Sequence, residues 1–172
     1  MNDGKGSGEL AAIAVDCGLR IHRDLGPGLL ESIDETVLAA SLSKAGLSVA
    51  RQMPLSFVFD DMPFSDVCRI DLLVDNRLII EVKSVETLAK VHGKQLLTYL
   101  RLAQQPLGLL MNFGGATFKE GPRCIDNEHS SFASSRLRVH RPAAADWDAF
   151  FDQPGIDIAV PEEIGPNLIR QG

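Results

Sequence analysis

The residues best placed to do chemistry are two acids and a lysine set into apolar strands. Arg69-Ile70-Asp71-Leu72-Leu73-Val74 is followed by the turn Asp75-Asn76-Arg77 and then by Leu78-Ile79-Ile80-Glu81-Val82-Lys83. With Asn76 at the centre of a hairpin turn, Asp71 lies directly opposite Glu81, and Arg69 opposite Lys83. Side chains alternate along a strand, so Asp71, Glu81, Lys83 and Arg69 share one face. Ile70, Leu72, Val74, Leu78, Ile80 and Val82 then form the other, wholly apolar and due for burial. Facing carboxylates on neighbouring strands have Cβ atoms about 4.5–5.5 Å apart, where like charges repel. A divalent cation offsets that repulsion, and Mg²⁺ characteristically takes one or two carboxylates while keeping several waters. Lys83, two residues from Glu81, is then placed to orient an attacking water or to stabilise charge growing on a phosphate. The competing account is a surface hairpin of alternating charge, its ion pairs worth roughly 0–1 kcal/mol.

The rest of the chain must position this hairpin. Residues 1–8 are Gly-rich and polar and read as a disordered terminus. From Glu9 to Arg23, Leu10, Ile13, Cys17 and Ile21 recur at helical spacing, until Leu25-Gly26-Pro27-Gly28 breaks the pattern. A second helix follows, with Leu30, Ile33, Val37, Leu38, Leu42 and Ala45 on one stripe, acids in its first turns and Gly46 as its stop. The period then turns to that of strands over 47–50, 55–59, 67–74 and 78–83. His92 to Gln104 reads as a helix with Leu96, Leu97, Leu100 and Ala103 on its apolar face, and Leu107 to Phe113 as a buried strand. The expected order is α, α, β, β, β, β, α, β.

Composition narrows the partners. The chain has 172 residues, 45% of them hydrophobic and 23% charged, which fits one globular domain with a short appendage. A net charge of −6 speaks against coating nucleic acid by bulk electrostatics, so any such contact is local, at a site where a bound cation reverses the field. Three cysteines without a Cys-x-x-Cys pair disfavour a disulfide framework and a zinc site. No apolar run is long enough for a membrane span and the N-terminus lacks a secretory signal. A cytoplasmic protein is expected.

Four ordered blocks carry a resemblance. Ile21-His22-Arg23-Asp24-Leu25-Gly26-Pro27-Gly28-Leu29-Leu30-Glu31-Ser32, Arg69 to Val74, Ile80-Glu81-Val82-Lys83 and Gln95-Leu96-Leu97-Thr98-Tyr99-Leu100 closely resemble the GxxExxY family. That family is a branch of the PD-(D/E)XK nuclease-like superfamily, and the resemblance runs from about Glu9 to Asp126. It implies an α/β, restriction-endonuclease-like sandwich whose mixed central sheet is flanked by helices, with residues 9–128 as the nuclease-like domain. It also implies Asp71 and Glu81 as metal-binding acids, Lys83 as the catalytic lysine and the Val82 carbonyl completing the ligand set. Glu31 matches the glutamate of the family block and implies an acid at the metal or its water; otherwise it is a helix N-terminal acid favoured by the dipole. Gln95 and Tyr99 share a helical face and resemble the Gln-x-x-x-Tyr that RecB-like members place beside the metal, though Tyr99 also suits a core aromatic with its hydroxyl at the rim. The cofactor implied is Mg²⁺, with Mn²⁺ as a substitute. Two positions depart from the family pattern: Asp34 stands where the naming tyrosine belongs, and Ile70 replaces the proline of the Pro-Asp pair.

Other residues have plainer explanations. His22 suits a helix-end cap near the negative dipole end better than a general base, and Asn112 a turn former. Residues 129–172 form an acidic, Pro-containing extension in which Trp147, Phe150 and Phe151 have helical spacing. That segment either docks on its own domain or binds a partner protein. Two functions emerge: a Mg²⁺-dependent nuclease hydrolysing DNA or RNA phosphodiesters, for which a homodimer would suit cleavage of two strands, and a non-catalytic module that keeps the fold and binds nucleic acid or protein.

Overall fold

A computed structural model of the chain describes residues 5–127 and the backbone of 137–140. Helix α1 spans Ser7–Leu25, so the terminus read as disordered over 1–8 is already helical at Ser7. Glu9 Oε2 accepts the Gly6 N–H at 3.1 Å, and the Arg77 guanidinium donates to the Lys5 carbonyl at 3.1 Å. These bonds order a segment whose composition alone suggested none. The α1 face of Leu10, Ala14, Cys17 and Ile21 is buried. At Gly18 an added Cβ would lie 2.3 Å from Met111 and 2.5 Å from Phe118, so the missing side chain lets α1 approach the sheet closely. Gly26 and Gly28, both at positive φ (73° and 109°), turn the chain into α2, Glu31–Lys44.

Helix α2 departs from its expected stripe. Leu38 and Leu42 are buried, but Leu30 is 70% exposed and Ile33 42%, while Asp34 and Glu35 are buried instead. The first turns of α2 are thus rotated to face acids inward. The chain then reverses at Gly46 into β1, Val49–Phe59. The two strands expected over 47–50 and 55–59 are one strand, because a single partner, β2 (Met62–Val74), runs antiparallel along its whole length. Asp60 and Asp61, both at positive φ, make the tight turn between them, and β2 begins directly at Met62.

Strand β3 covers Leu78–Lys83, helix α3 Lys90–Ala103 and strand β4 Leu107–Asn112. A short 3-10 turn, Phe118–Glu120, leads to β5, Pro122–Asp126, a strand the sequence pattern did not single out. Strand β6, Leu137–His140, returns from the C-terminal extension to pair with the outer edge of β1. The sheet is mixed, in the order β5-β4-β3-β2-β1-β6, with β3 and β4 parallel across α3. Leu72, Val74, Leu78, Ile80, Val82 and Met111 pack with α1 and α2, whereas Leu73, Ile79 and Leu110 pack with α3. This is the expected α/β sandwich, with helices on both faces of a buried mixed sheet. No described helix is long and apolar enough to cross a membrane. Trp147, Phe150, Phe151 and the proposed docking of the extension lie outside the described residues.

Candidate active site

The β2–β3 hairpin has the register expected from its turn: Val74 pairs with Leu78, Leu73 with Ile79 and Leu72 with Ile80. The ladder stops there, one step before Asp71 and Glu81. Asp71 Oδ2 accepts the Val82 N–H at 2.9 Å, so a carboxylate takes a backbone donor at the point where ladder bonding ends. The neighbouring β1–β2 ladder skips the same place, pairing Arg51 with Leu72 and Met53 with Ile70 but leaving out Gln52 and Asp71. Gln52 has φ 50°, a left-handed conformation foreign to a strand interior.

This kink changes which way side chains point, and two expectations fail with it. Ile70 packs with Leu73 and Ile79 on the α3 side, not with Leu72 and Val74, because strict alternation breaks at position 71. Arg69 is exposed and lies opposite Pro54 of β1, not opposite Lys83, since the β2–β3 ladder never reaches it.

Glu81 and Lys83 are drawn together at the open end of the hairpin. Lys83 Nζ lies 2.7 Å from Glu81 Oε1 and 3.7 Å from Glu31 Oε1, with the Glu81 side chain only 3% exposed. Glu81 Oε2 is buried and has no hydrogen-bond partner among the described residues. Burial first, and then the charge of Asp71, push the Glu81 carboxyl up to about 7 against the opposing pull of Lys83. Asp71 is raised as well, chiefly by burial, with the Val82 N–H and Lys83 opposing. Burial disfavours the Lys83 charge, yet Glu81, Glu31 and Asp71 outweigh it and hold the lysine above its usual value. One oxygen of Glu81 is buried without any donor, which favours the neutral acid.

Acids from the first turns of α2, the exposed Glu31 and the buried Asp34 and Glu35, border this site. Glu31 Oε2 accepts the Ser84 N–H at 3.3 Å, and the Ser84 hydroxyl donates to Asp34 Oδ2. The residue after Lys83 is thereby latched to the helix. Glu35 receives Arg51 Nε at 3.0 Å and Gln52 Nε2 at 2.7 Å, and Gln52 Nε2 also lies 3.4 Å from Asp71 Oδ1. Glu35, Gln52 and Ser84 were not singled out from sequence. Glu35 follows four residues behind Glu31, a spacing that shares a helical face, but no local pattern marks Gln52 or Ser84. From the other side, α3 offers Gln95, whose Nε2 donates to Tyr99 Oη at 2.8 Å. Burial and then the bond from Gln95 act on that hydroxyl, and it also feels the charges of Glu81 and Lys83.

A model of the PD-(D/E)XK nuclease superfamily matches residues 8–125, the span that builds both helical layers and the hairpin. The chain belongs to the PD-(D/E)XK nuclease superfamily. No curated protein and no solved structure matches it. Nucleases of this superfamily typically use divalent metals, and the residues present can be tested against that requirement. Among the described residues no group of three or more His, Cys, Asp or Glu side chains converges as a ready metal cluster. A hard cation that keeps several waters needs only one or two carboxylates, and the unpartnered buried oxygen of Glu81 beside Asp71 is a donor of that kind. Val82 adds to it. Its N–H faces Asp71, and in an extended strand the carbonyl of a residue points to the same side as its N–H; Lys83, one residue on, turns its carbonyl instead to Phe113 N at 2.8 Å. The donor set therefore fits a hydrated divalent ion of this superfamily.

Two other polar residues prove to be braces. His22 is buried, and its Nε2 bonds the Gly115 carbonyl at 2.8 Å, fixing the loop after β4 instead of capping its own helix. Asn112 accepts the Val85 N–H at 3.0 Å and the Gly114 N–H at 3.2 Å and donates to the Val85 carbonyl at 2.8 Å. It thus ties the loop leaving Lys83 to the end of β4, a longer-range version of the turn-forming role expected of it.

Proposed function

We propose that this chain is a Mg²⁺-dependent nuclease of the GxxExxY branch, cutting DNA or RNA phosphodiesters by hydrolysis, with Asp71, Glu81, Lys83 and Gln95 as its catalytic residues. Asp71, Glu81, the Val82 carbonyl and Glu31 are the groups that would hold the metal or its water. The observation that carries the reading is the buried Glu81 oxygen without a donor, set beside a second raised carboxyl and a lysine. Such an arrangement is costly unless a cation uses it.

When bound, the divalent ion supplies Lewis-acid polarisation of the phosphate and a nucleophile at neutral pH. The chain's own groups do the rest. Asp71 and Glu81 fix the position of positive charge on a rigid sheet edge. Lys83, held charged by three acids, is free to swing its ammonium from Glu81 to a phosphate oxygen once the acid is otherwise engaged. Its role is to stabilise the charge that grows during displacement. Gln95 and Tyr99 supply neutral hydrogen-bonding groups beside it.

Purified chain should cleave single- or double-stranded DNA or RNA with Mg²⁺ or Mn²⁺ and not with a chelator. Asp71→Ala and Glu81→Ala should each lower the rate by on the order of 10²–10³-fold or more. Cleavage that survives either change would refute the reading. A second reading, a non-catalytic binding module, is favoured by one observation: Lys83 is already paired at 2.7 Å with Glu81, a self-neutralised arrangement. Absence of divalent-ion uptake in calorimetry, together with no cleavage of any of the four substrates, would select it.

A further inference from the structure

Gln52 sits in the middle of β1 with φ 50°, a left-handed conformation that is unfavourable for a residue with a side chain. Something must hold it there, because its strand offers no ladder pair at that position. The holder is α2. Glu35 is buried, and one of its oxygens takes Gln52 Nε2 at 2.7 Å while the other takes Arg51 Nε at 3.0 Å; Arg51 reaches on to Thr36 Oγ1 at 2.8 Å. Two consecutive β1 residues are thus anchored to two consecutive α2 residues, and the kink at Gln52 is the result.

The same amide nitrogen lies 3.4 Å from Asp71 Oδ1. Since the other Asp71 oxygen accepts the Val82 N–H, the carboxylate is gripped at both ends. The chemistry of the bridging group matters. A primary amide carries two hydrogens and no charge, so it serves the Glu35 and Asp71 carboxylates together without cancelling the negative charge a cation needs. An arginine or lysine at that place would compete with the cation.

We infer that Gln52, held in its left-handed conformation by Glu35, is a positioning residue that sets the orientation of the Asp71 carboxylate towards Glu81. The inference rests on the proposed metal site and adds a supporting layer to it, of the kind whose loss typically weakens metal binding.

Gln52→Gly separates positioning from folding. Glycine adopts a positive φ without penalty, so the variant relieves the strain of the kink but removes the amide. Isothermal titration of the full chain with Mn²⁺, at a temperature where circular dichroism shows both proteins folded, should show about 10–100-fold weaker binding in Gln52→Gly than in wild type. Gln52→Asn, which tolerates the left-handed region but is one methylene shorter, should also bind weakly. Binding within about twofold of wild type in both variants would overturn the inference. Should the wild type itself take up no Mn²⁺, the metal site fails on its own account, and crystal structures without metal decide the positioning role. An Asp71 carboxylate turned away from Glu81 in Gln52→Gly sustains it, and one unchanged from wild type overturns it.

Discussion

The two ends of the β2–β3 hairpin are built on opposite principles. At the turn end Leu72, Leu73, Val74, Leu78, Ile79 and Ile80 are at most 1% exposed and form an unbroken ladder. At the open end, one residue further on, Glu81 is buried and Asp71 half-buried, the ladder stops, and the bonds come from side chains. One end maximises apolar burial; the other keeps acids dry at a cost in stability. Local sacrifice of stability on a rigid scaffold is how functional groups are held in place, and the contrast tells where to expect chemistry and where to expect only folding.

Substitutions should therefore behave in opposite ways across those few residues, and the largest effect belongs to the turn end. Ile80→Ala leaves a cavity between the sheet and the α1–α2 layer and should destabilise the protein by about 2–5 kcal/mol, read from denaturant unfolding, with metal binding lost only as the protein unfolds. The acid-to-alanine changes at the open end should abolish cleavage without any such loss. Equal destabilisation by Ile80→Ala and Glu81→Ala would erase the distinction.

The next effect is electrostatic and has a definite sign. Glu81 in the folded chain holds its proton up to about 7, against 4.5 for an ordinary glutamate. Between those values the native state binds more protons than the unfolded state, so stability falls as pH rises. The contribution is fully present below about pH 4.5 and is lost as pH passes 7; its ceiling is on the order of 3 kcal/mol. Asp71 and Asp34, also raised by burial, push the same way. Unfolding measured without metal should therefore show stability declining from pH 5 to pH 8. Glu81→Gln, which stays neutral, should flatten that slope, and Mg²⁺ should restore stability at the alkaline end of the wild-type curve. A wild-type curve that rises over this window would contradict the burial argument.

The sequence disclosed these two ends unequally. Alternation and turn spacing sufficed for the register of the hairpin as far as Leu72 and Ile80, because it is a property of a few consecutive residues; the ladder ends before the expected pairing of Asp71 with Glu81. They failed at Ile70, which changes face, because the kink at Gln52 is imposed by Glu35 from a different element. The stripe on α2 failed for the same reason. Leu30 and Ile33 obey the helical period, yet bonds from Ser84, Arg51 and Gln52 turn Asp34 and Glu35 inward. The merger of two expected strands into β1, and the addition of β5 and β6, depend on long-range pairing that no local pattern encodes. What was legible is what neighbours in sequence determine; what was hidden is what distant partners impose.

The smallest expected effect tests how far the acidic end depends on charge as opposed to bonding. Asp34 is 2% exposed, with its carboxyl raised by burial and a bond made to the Ser84 hydroxyl. Asp34→Asn keeps an acceptor for that hydroxyl and removes a desolvated charge, so stability at pH 5 should change by no more than about 1 kcal/mol. As the pH rises and the wild-type carboxyl is driven to ionise against its burial, the variant should gain stability relative to wild type. Asp34→Ala, by contrast, removes the latch on the residue after Lys83 and should loosen the end of β3, visible as faster amide exchange at Ser84 and Val85. If Asp34→Asn loosens those amides as much as Asp34→Ala does, then the charge of Asp34, and not its bond to Ser84, holds the open end of the hairpin against α2.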